Sequence, residues 1–181
     1  NTAHRGHDVY LYGPRGLSSW ELAYDKIMAD QLRGTRLCHF DFDDPLLTDI
    51  LHDTPRSARL YGGVPLATCS SKARGDILEA VARRFDEVRF GCTQPAAPGM
   101  AHGGQQLGAH QRHYDWSLAG GSRVEARSSS MTWKERRWYF NFQNVKREQF
   151  DKCRLLLYSP RGLHIVDWDG SSRWSKAGKG T

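Results

Sequence analysis

Apolar and polar positions along the chain separate into strand-like and helix-like stretches. "HDVYLY" (7–12) has a strand pattern that stops at a turn carrying Pro14 and Gly16. "SSWELAYDKIMADQL" then puts Trp20, Ala23, Ile27 and Leu32 near helical spacing behind a serine able to cap the helix. "RLCHFDFDDPLLTDIL" reads as a short strand, an acidic turn and a second small helix. The clearest helix is 69–90, "CSSKARGDILEAVARRFDEVRF": Ser70 or Ser71 can cap it, and Ile77, Leu78, Val81, Phe85 and Val88 form one apolar stripe. Residues 91–112, rich in Gly, Pro and Gln, read as a loop. Three core strands are expected at 113–118, 122–130 and 137–145. "REQF" follows as a turn or short helical link, and "KCRLLLYSP" pairs with "LHIVDWD" in a hairpin about Pro160-Arg161-Gly162.

These elements predict an α/β (α+β) chain with a mixed sheet. Its parts are a small N-terminal β-α lobe or extension over 1–65, a core over 66–170 and a flexible Ser/Lys/Gly tail over 171–181. "LYGPRGL" at 11–17 recurs as "LYSPRGL" at 157–163, but the surroundings do not match. One turn solution used twice explains the echo better than a duplicated lobe.

A length of 181 residues suits one ordinary core, and no run approaches the roughly 18 apolar residues of a membrane helix. Charge changes the picture more. Residues 1–120 hold 13 Lys/Arg against 14 Asp/Glu, whereas 121–181 hold 13 against 6. A basic half beside a neutral one favours a polyanionic partner, nucleic acid above all, although a solvated basic surface gives the same count. Cys38, Cys69, Cys92 and Cys153 are widely spaced with no CxxC pair, so they read as reduced, mostly buried thiols. That favours an intracellular protein, with the nucleus one candidate compartment. "AGKGT" near the end lacks the spacing of a phosphate-binding loop.

Candidate chemistry centres on "HYDWSLAGGSRVEARSSS" (113–130). A three-residue loop Ala119-Gly120-Gly121 would place Leu118 opposite Ser122, Trp116 opposite Val124, and Asp115 opposite Glu125. Gly121 then supplies the positive φ that such loops need. A two-residue Gly-Gly loop would put the acids on opposite faces instead. In the first register two like charges meet, and a divalent cation such as Mg²⁺ is their natural neutraliser. Glu125 and Arg127 share a strand face, so a cation there can hold a phosphate. Surface acids flanked by arginines would produce the same pattern.

"YDW…GGSRVEARSS" followed by "WYFNFQNVKREQFDKCRLLLYSPRGLHI" resembles the core of the PD-(D/E)xK nuclease superfamily, over roughly residues 69–168. The order is a helix acid, an Asp, a hairpin, E-x-basic, Ser-Ser and the strand of "FDKCRLLLY". The resemblance implies a restriction-endonuclease-like mixed central sheet flanked by helices. It also implies a metal-dependent endonuclease acting on nucleic acid, double-stranded DNA first, with Mg²⁺ or Mn²⁺ as cofactor. Asp115 and Glu125 would be metal ligands, Glu79 a further acid from the helix, and Arg127 the third motif position. A homodimer is a further implication, since restriction-like nucleases that cut both strands often pair.

Lysine is usual where this chain has Arg127. Arginine stays protonated and grips phosphate as a fork, so it cannot readily exchange a proton. Three outcomes follow: Arg127 acts electrostatically, Lys146 substitutes, or catalysis is lost and a DNA-binding or scaffold module remains. Gln143 is expected to point towards the site while Phe140 and Phe142 pack. His113 would lie across from Arg127 and reach substrate, with His102 and His110 nearby in sequence. Lys134, Arg136 and Arg137, interleaved with Trp133 and Trp138, suit a nucleic-acid surface, although cross-strand tryptophan packing explains the pair equally well. A protein-interaction domain with a fortuitous motif is the third reading.

Overall fold

The computed structural model describes residues 6–32, 34–41, 69–95, 114–170 and 174–176. Among the described residues ten strands form two sheets: β1 (His7–Tyr12), β2 (Gly34–Phe40), β3 (Gln94–Pro95), β4 (Trp116–Ser117), β5 (Arg123–Ser130), β6 (Thr132–Lys134), β7 (Arg137–Val145), β8 (Lys152–Ser159), β9 (Gly162–Trp168) and β10 (Trp174–Lys176). Helix α1 is Trp20–Lys26, continued by a π turn over Ile27–Gln31, and helix α2 is Ser71–Phe90. The architecture is mixed α+β. No helix of the described residues is long and apolar enough to cross a membrane.

The larger sheet has the order β2-β9-β8-β5-β4-β3, with β5 and β8 parallel and every other pair antiparallel. Strand β8, "KCRLLLYS", is buried on both faces, as a near-continuous apolar run at the centre of a sheet must be. Its side chains alternate between two cores. Leu156 and Tyr158 join Leu78, Val81, Ala82 and Phe85 of α2, while Cys153, Leu155 and Leu157 join Val9, Leu11, Phe140 and Phe142 on the other face. The hairpin between β8 and β9 turns at Gly162, whose φ of +112° puts its missing Cβ where the Phe40 carbonyl lies.

Ser70 caps α2 by accepting the Ala73 N–H at 3.2 Å. The buried line runs through Leu78, Val81, Ala82, Phe85 and Asp86, whereas Val88, the last member of the expected stripe, is 65% exposed.

The smaller sheet has the order β10-β1-β7-β6 and is antiparallel throughout. Three expectations change here. The strand at 137–145 is not a third strand of the core sheet. Both edges of β5 are already taken, by β4 and by β8, so the chain leaves through the β6–β7 hairpin and β7 packs over the sheet as a second layer. One face of the larger sheet therefore carries α2 and the other a small sheet with α1, rather than helices on both sides. Trp174–Lys176, within the expected tail, pairs with His7–Val9 as an edge strand. Strands β1 and β2 come from the stretch set aside as a lobe, yet they are hydrogen-bonded to β7 and β9 and so belong to the same two sheets. The expected second small helix lies outside the described residues.

Candidate functional site

The hairpin between β4 and β5 adopts the three-residue loop. Leu118 donates to the Ser122 carbonyl at 3.0 Å, Gly121 has φ +83°, and Trp116 pairs with Val124. The paired register ends at Trp116 and Val124; Asp115 lies just beyond it, its N–H donating to that same Val124 carbonyl at 2.9 Å, and its charge acts on Glu125. Strand β4 stops there, and the Asp115 side chain takes over the ladder by accepting the Ala126 N–H at 2.7 Å. The carboxylate is thereby fixed against the strand that carries Glu125 and Arg127.

Glu125 is buried, and burial pushes its carboxyl up to about 8. The Arg127 guanidinium pulls the other way, the charges of Asp115 and Glu79 raise it further, and Lys146 lowers it. Those four groups thus meet Glu125 electrostatically, although they come from four different segments. Arg127 Nη2 contacts Glu125 Oε1 directly, and Nη1 donates to the Ala126 carbonyl at 3.0 Å.

Lys146 arrives through an irregularity. Between His7/Val145 and Val9/Phe142, β7 holds one residue more than β1, and Asn144 takes φ +53°. This bulge lets Val145 follow Phe140 and Phe142 into the core. Lys146 then falls on the face of Gln143 instead of among the apolar residues.

A cleft of about 520 Å³ lies alongside, lined by Glu79, Arg127, Ser128, Tyr139, Asn141 and Gln143 among others. Gln143 does point outward while Phe140 and Phe142 are fully buried. Asp115 and Glu125 do not line this cleft. They connect to it through Arg127, which touches Glu125, and through Glu79, whose charge reaches it.

Other sequence candidates fall elsewhere. Glu135 and Arg136 form the turn of the β6–β7 hairpin, both with positive φ, and Lys134 pairs with Arg137 beside it. None of Lys134, Arg136 and Arg137 lines the cleft. Trp133 and Trp138 face each other across the hairpin at 5.6 Å, and Trp138 Nε1 donates to the Ser18 carbonyl at 2.8 Å, which is the packing alternative. His113, His102 and His110 lie outside the described residues. Asp151 of "FDKCRLLLY" is held by Arg123, whose N–H, Nε and Nη2 all donate to it. It pins the start of β8 to β5. Among the four cysteines, Cys153 is buried and Cys92 is exposed, with no disulfide.

One buried cluster escaped the pattern. Arg154 and Asp86, 1% and 0% exposed, meet at 3.2 Å beneath α2, and Trp116 Nε1 donates to Asp86 at 3.0 Å. Arg154 Nη1 also lies 2.9 Å from Asp167, close enough for an ion pair but off the line of a hydrogen bond. Burial raises the Asp86 carboxyl against the pull of Arg154 and Trp116. The legible signal was a lone charge inside the apolar run "CRLLLY".

Among the described residues no three His, Cys, Asp or Glu side chains gather as a ready metal site. Asp115, buried Glu125 and Glu79 would offer oxygen donors, the kind a hard cation takes, and the charges of Asp115 and Glu79 already raise the Glu125 carboxyl.

No family model, curated protein or solved structure matches the chain.

Proposed function

We propose that this site belongs to a nuclease of restriction-endonuclease-like fold that hydrolyses phosphodiester bonds of nucleic acid, double-stranded DNA being the first substrate to try. The carrying observation is the Asp115 carboxylate locked to the Ala126 N–H, which holds it close enough to act on Glu125. The order of acid-bearing helix, Asp, hairpin, acid-x-base strand and a strand parallel to it also supports this function.

Asp115, Glu125 and Glu79 would hold Mg²⁺ or Mn²⁺, which supplies an activated water and balances charge on a phosphoryl oxygen. Burial holds the Glu125 proton against the pull of Arg127, and the added positive charge of a divalent ion would release it. Arg127, always protonated, holds a phosphate oxygen as a fork at the cleft wall. Lys146 is the nearby group able to exchange a proton as water adds to phosphorus and the P–O bond to the leaving oxygen breaks. The basic residues of 121–181 track the backbone and make affinity fall with salt.

A second function has its own support. Arg127 already sets a fixed positive charge against Glu125, an arrangement suited to a nuclease-fold module that binds DNA without cutting it. Plasmid nicking in Mg²⁺, Mn²⁺ or EDTA separates the two. A nuclease nicks with either metal, stops in EDTA, and loses activity on Asp115→Asn while still binding DNA. Binding without nicking in any of the three assigns the module. Nicking unaffected by Asp115→Asn rejects the site.

A further inference from the structure

The small sheet presents a second surface. On β1 the buried Val9 and Leu11 alternate with Tyr10 and Tyr12, and on β7 the buried Phe140 and Phe142 alternate with Tyr139 and Asn141. Register sets Tyr12 opposite Tyr139 and Tyr10 opposite Asn141, so the three tyrosines share the face turned away from the core. Their rings form one patch. Tyr10 and Tyr12 stack at 5.4 Å with planes 4° apart, and Tyr139 lies 6.1 Å from Tyr12 and 6.3 Å from Tyr10. All three are half-buried, and neither core cluster of the described residues includes them.

Cations and hollows border the patch. The Arg137 guanidinium sits 4.5 Å from the centre of the Tyr12 ring. Tyr12 and Arg137 also line a hollow of about 260 Å³ with Arg15 and Lys26, against the single acid Asp30. At the other end Tyr139 lines the cleft that contains Arg127 and Glu79. A track of rings and positive charge therefore runs across the sheet and into the cleft.

We propose that this face binds single-stranded nucleic acid, with bases stacking on the tyrosine rings and phosphates near Arg137, Arg15 and Lys26. Every base has a π-face, so aromatic side chains accept unpaired bases without regard to sequence, while cations follow the backbone. A duplex keeps its bases stacked on one another and offers this face only phosphates. The excess of basic residues in 121–181 gives the field the right sign. That the strand continues into the cleft rests on the nuclease function; the stacking on the sheet does not.

The test is fluorescence anisotropy in EDTA with a labelled dT oligomer, a rU oligomer and a duplex of equal length. The unaltered chain binds the single strands, and the pair Tyr10→Leu with Tyr12→Leu, neither of which lines the cleft, weakens that binding about tenfold or more, leaving the duplex unaffected. Arg137→Gln lowers the salt slope by about one. The dT and rU arms separate DNA from RNA. Photo-crosslinking of an iodouracil oligomer to the unaltered chain reads the same face without altering the sheet, and adducts are expected on Tyr10, Tyr12 or Tyr139. No single-strand binding at low salt, binding unchanged in the paired variant, equal loss for the duplex, or adducts confined to other surfaces overturns the proposal. Plasmid nicking in Mg²⁺ run beside the binding assay tells the two sites apart: Asp115→Asn loses nicking and keeps single-strand binding, which concerns the cleft, whereas the paired tyrosine variant loses single-strand binding and keeps nicking, which concerns the sheet.

Discussion

The guanidinium of Arg127 lies against the carboxylate of Glu125, two residues earlier on the same strand. This contact sets a positive charge where a proton-exchanging lysine is usual in the family that the sequence resembles. Arg127→Lys should raise Mg²⁺-dependent nicking roughly tenfold or more, because a lysine can serve as general acid or base. Lys146→Ala should lower it by a similar factor if Lys146 supplies that role in the unaltered chain. Nicking rates of the two variants decide between them: activity that is insensitive to both leaves Arg127 acting through its charge alone.

Burial gives Glu125 a carboxyl raised from 4.5 to about 8, so the folded chain prefers it protonated. Between those values the folded state binds the extra proton, and stability falls as pH rises. Glu125→Gln removes that dependence. In EDTA its stability relative to the unaltered chain should rise from pH 4.5 to 8, by on the order of 1 kcal/mol per pH unit at most. Urea denaturation across that range is the check, and parallel curves would show Glu125 ionised throughout.

His164 behaves in the opposite sense. It is buried, its Nδ1 meets the Tyr24 hydroxyl at 2.6 Å, and His39 stacks on it at 4.1 Å. Burial, with His39, Arg36 and Arg161, depresses it from 6.5 to about 3. A neutral buried imidazole contributes stability that is complete above the unfolded value of 6.5 and is lost as pH falls towards 3. Between pH 7 and 4.5, His164→Gln should lose about 2 kcal/mol less than the unaltered chain. Equal losses in denaturant melts at the two pH values would contradict this.

How far the sequence led follows from the kind of information each feature carries. The meeting of Asp115 and Glu125 was legible because Gly121 can take positive φ and the three-residue loop then sets Trp116 opposite Val124, with both acids just beyond that pair. The cores of α2 and β8 were legible for the same reason. What the pattern could not supply was partnership. It showed that Phe140 and Phe142 face inward, but not that β5 lacks a free edge for β7. Nor did it reveal the bulge at Asn144 that turns Lys146 out of the core, since one inserted residue leaves no compositional mark. The Asp86–Arg154 pair was only half legible: Arg154 interrupts the apolar run of β8, but Asp86 looks like a solvated helix acid until that partner is seen.

That pair carries a prediction of its own. Asp86→Ala leaves Arg154 buried with Asp167 as its remaining acidic partner among the described residues and should cost on the order of 3 kcal/mol. Asp86→Leu combined with Arg154→Met should recover most of this, because apolar replacement removes both desolvated charges. Chemical denaturation of the single and double variants measures the difference. A double variant less stable than either single one would refute it.

The most direct measurement is a Mn²⁺ titration followed by electron paramagnetic resonance at pH 8, on the unaltered chain, Asp115→Asn and Glu125→Gln. Shared ligation by the two acids gives one Mn²⁺ per chain, weakened at least about tenfold by either substitution. Absence of stoichiometric binding, or equal affinity in all three proteins, would contradict a shared divalent site at the β4–β5 hairpin.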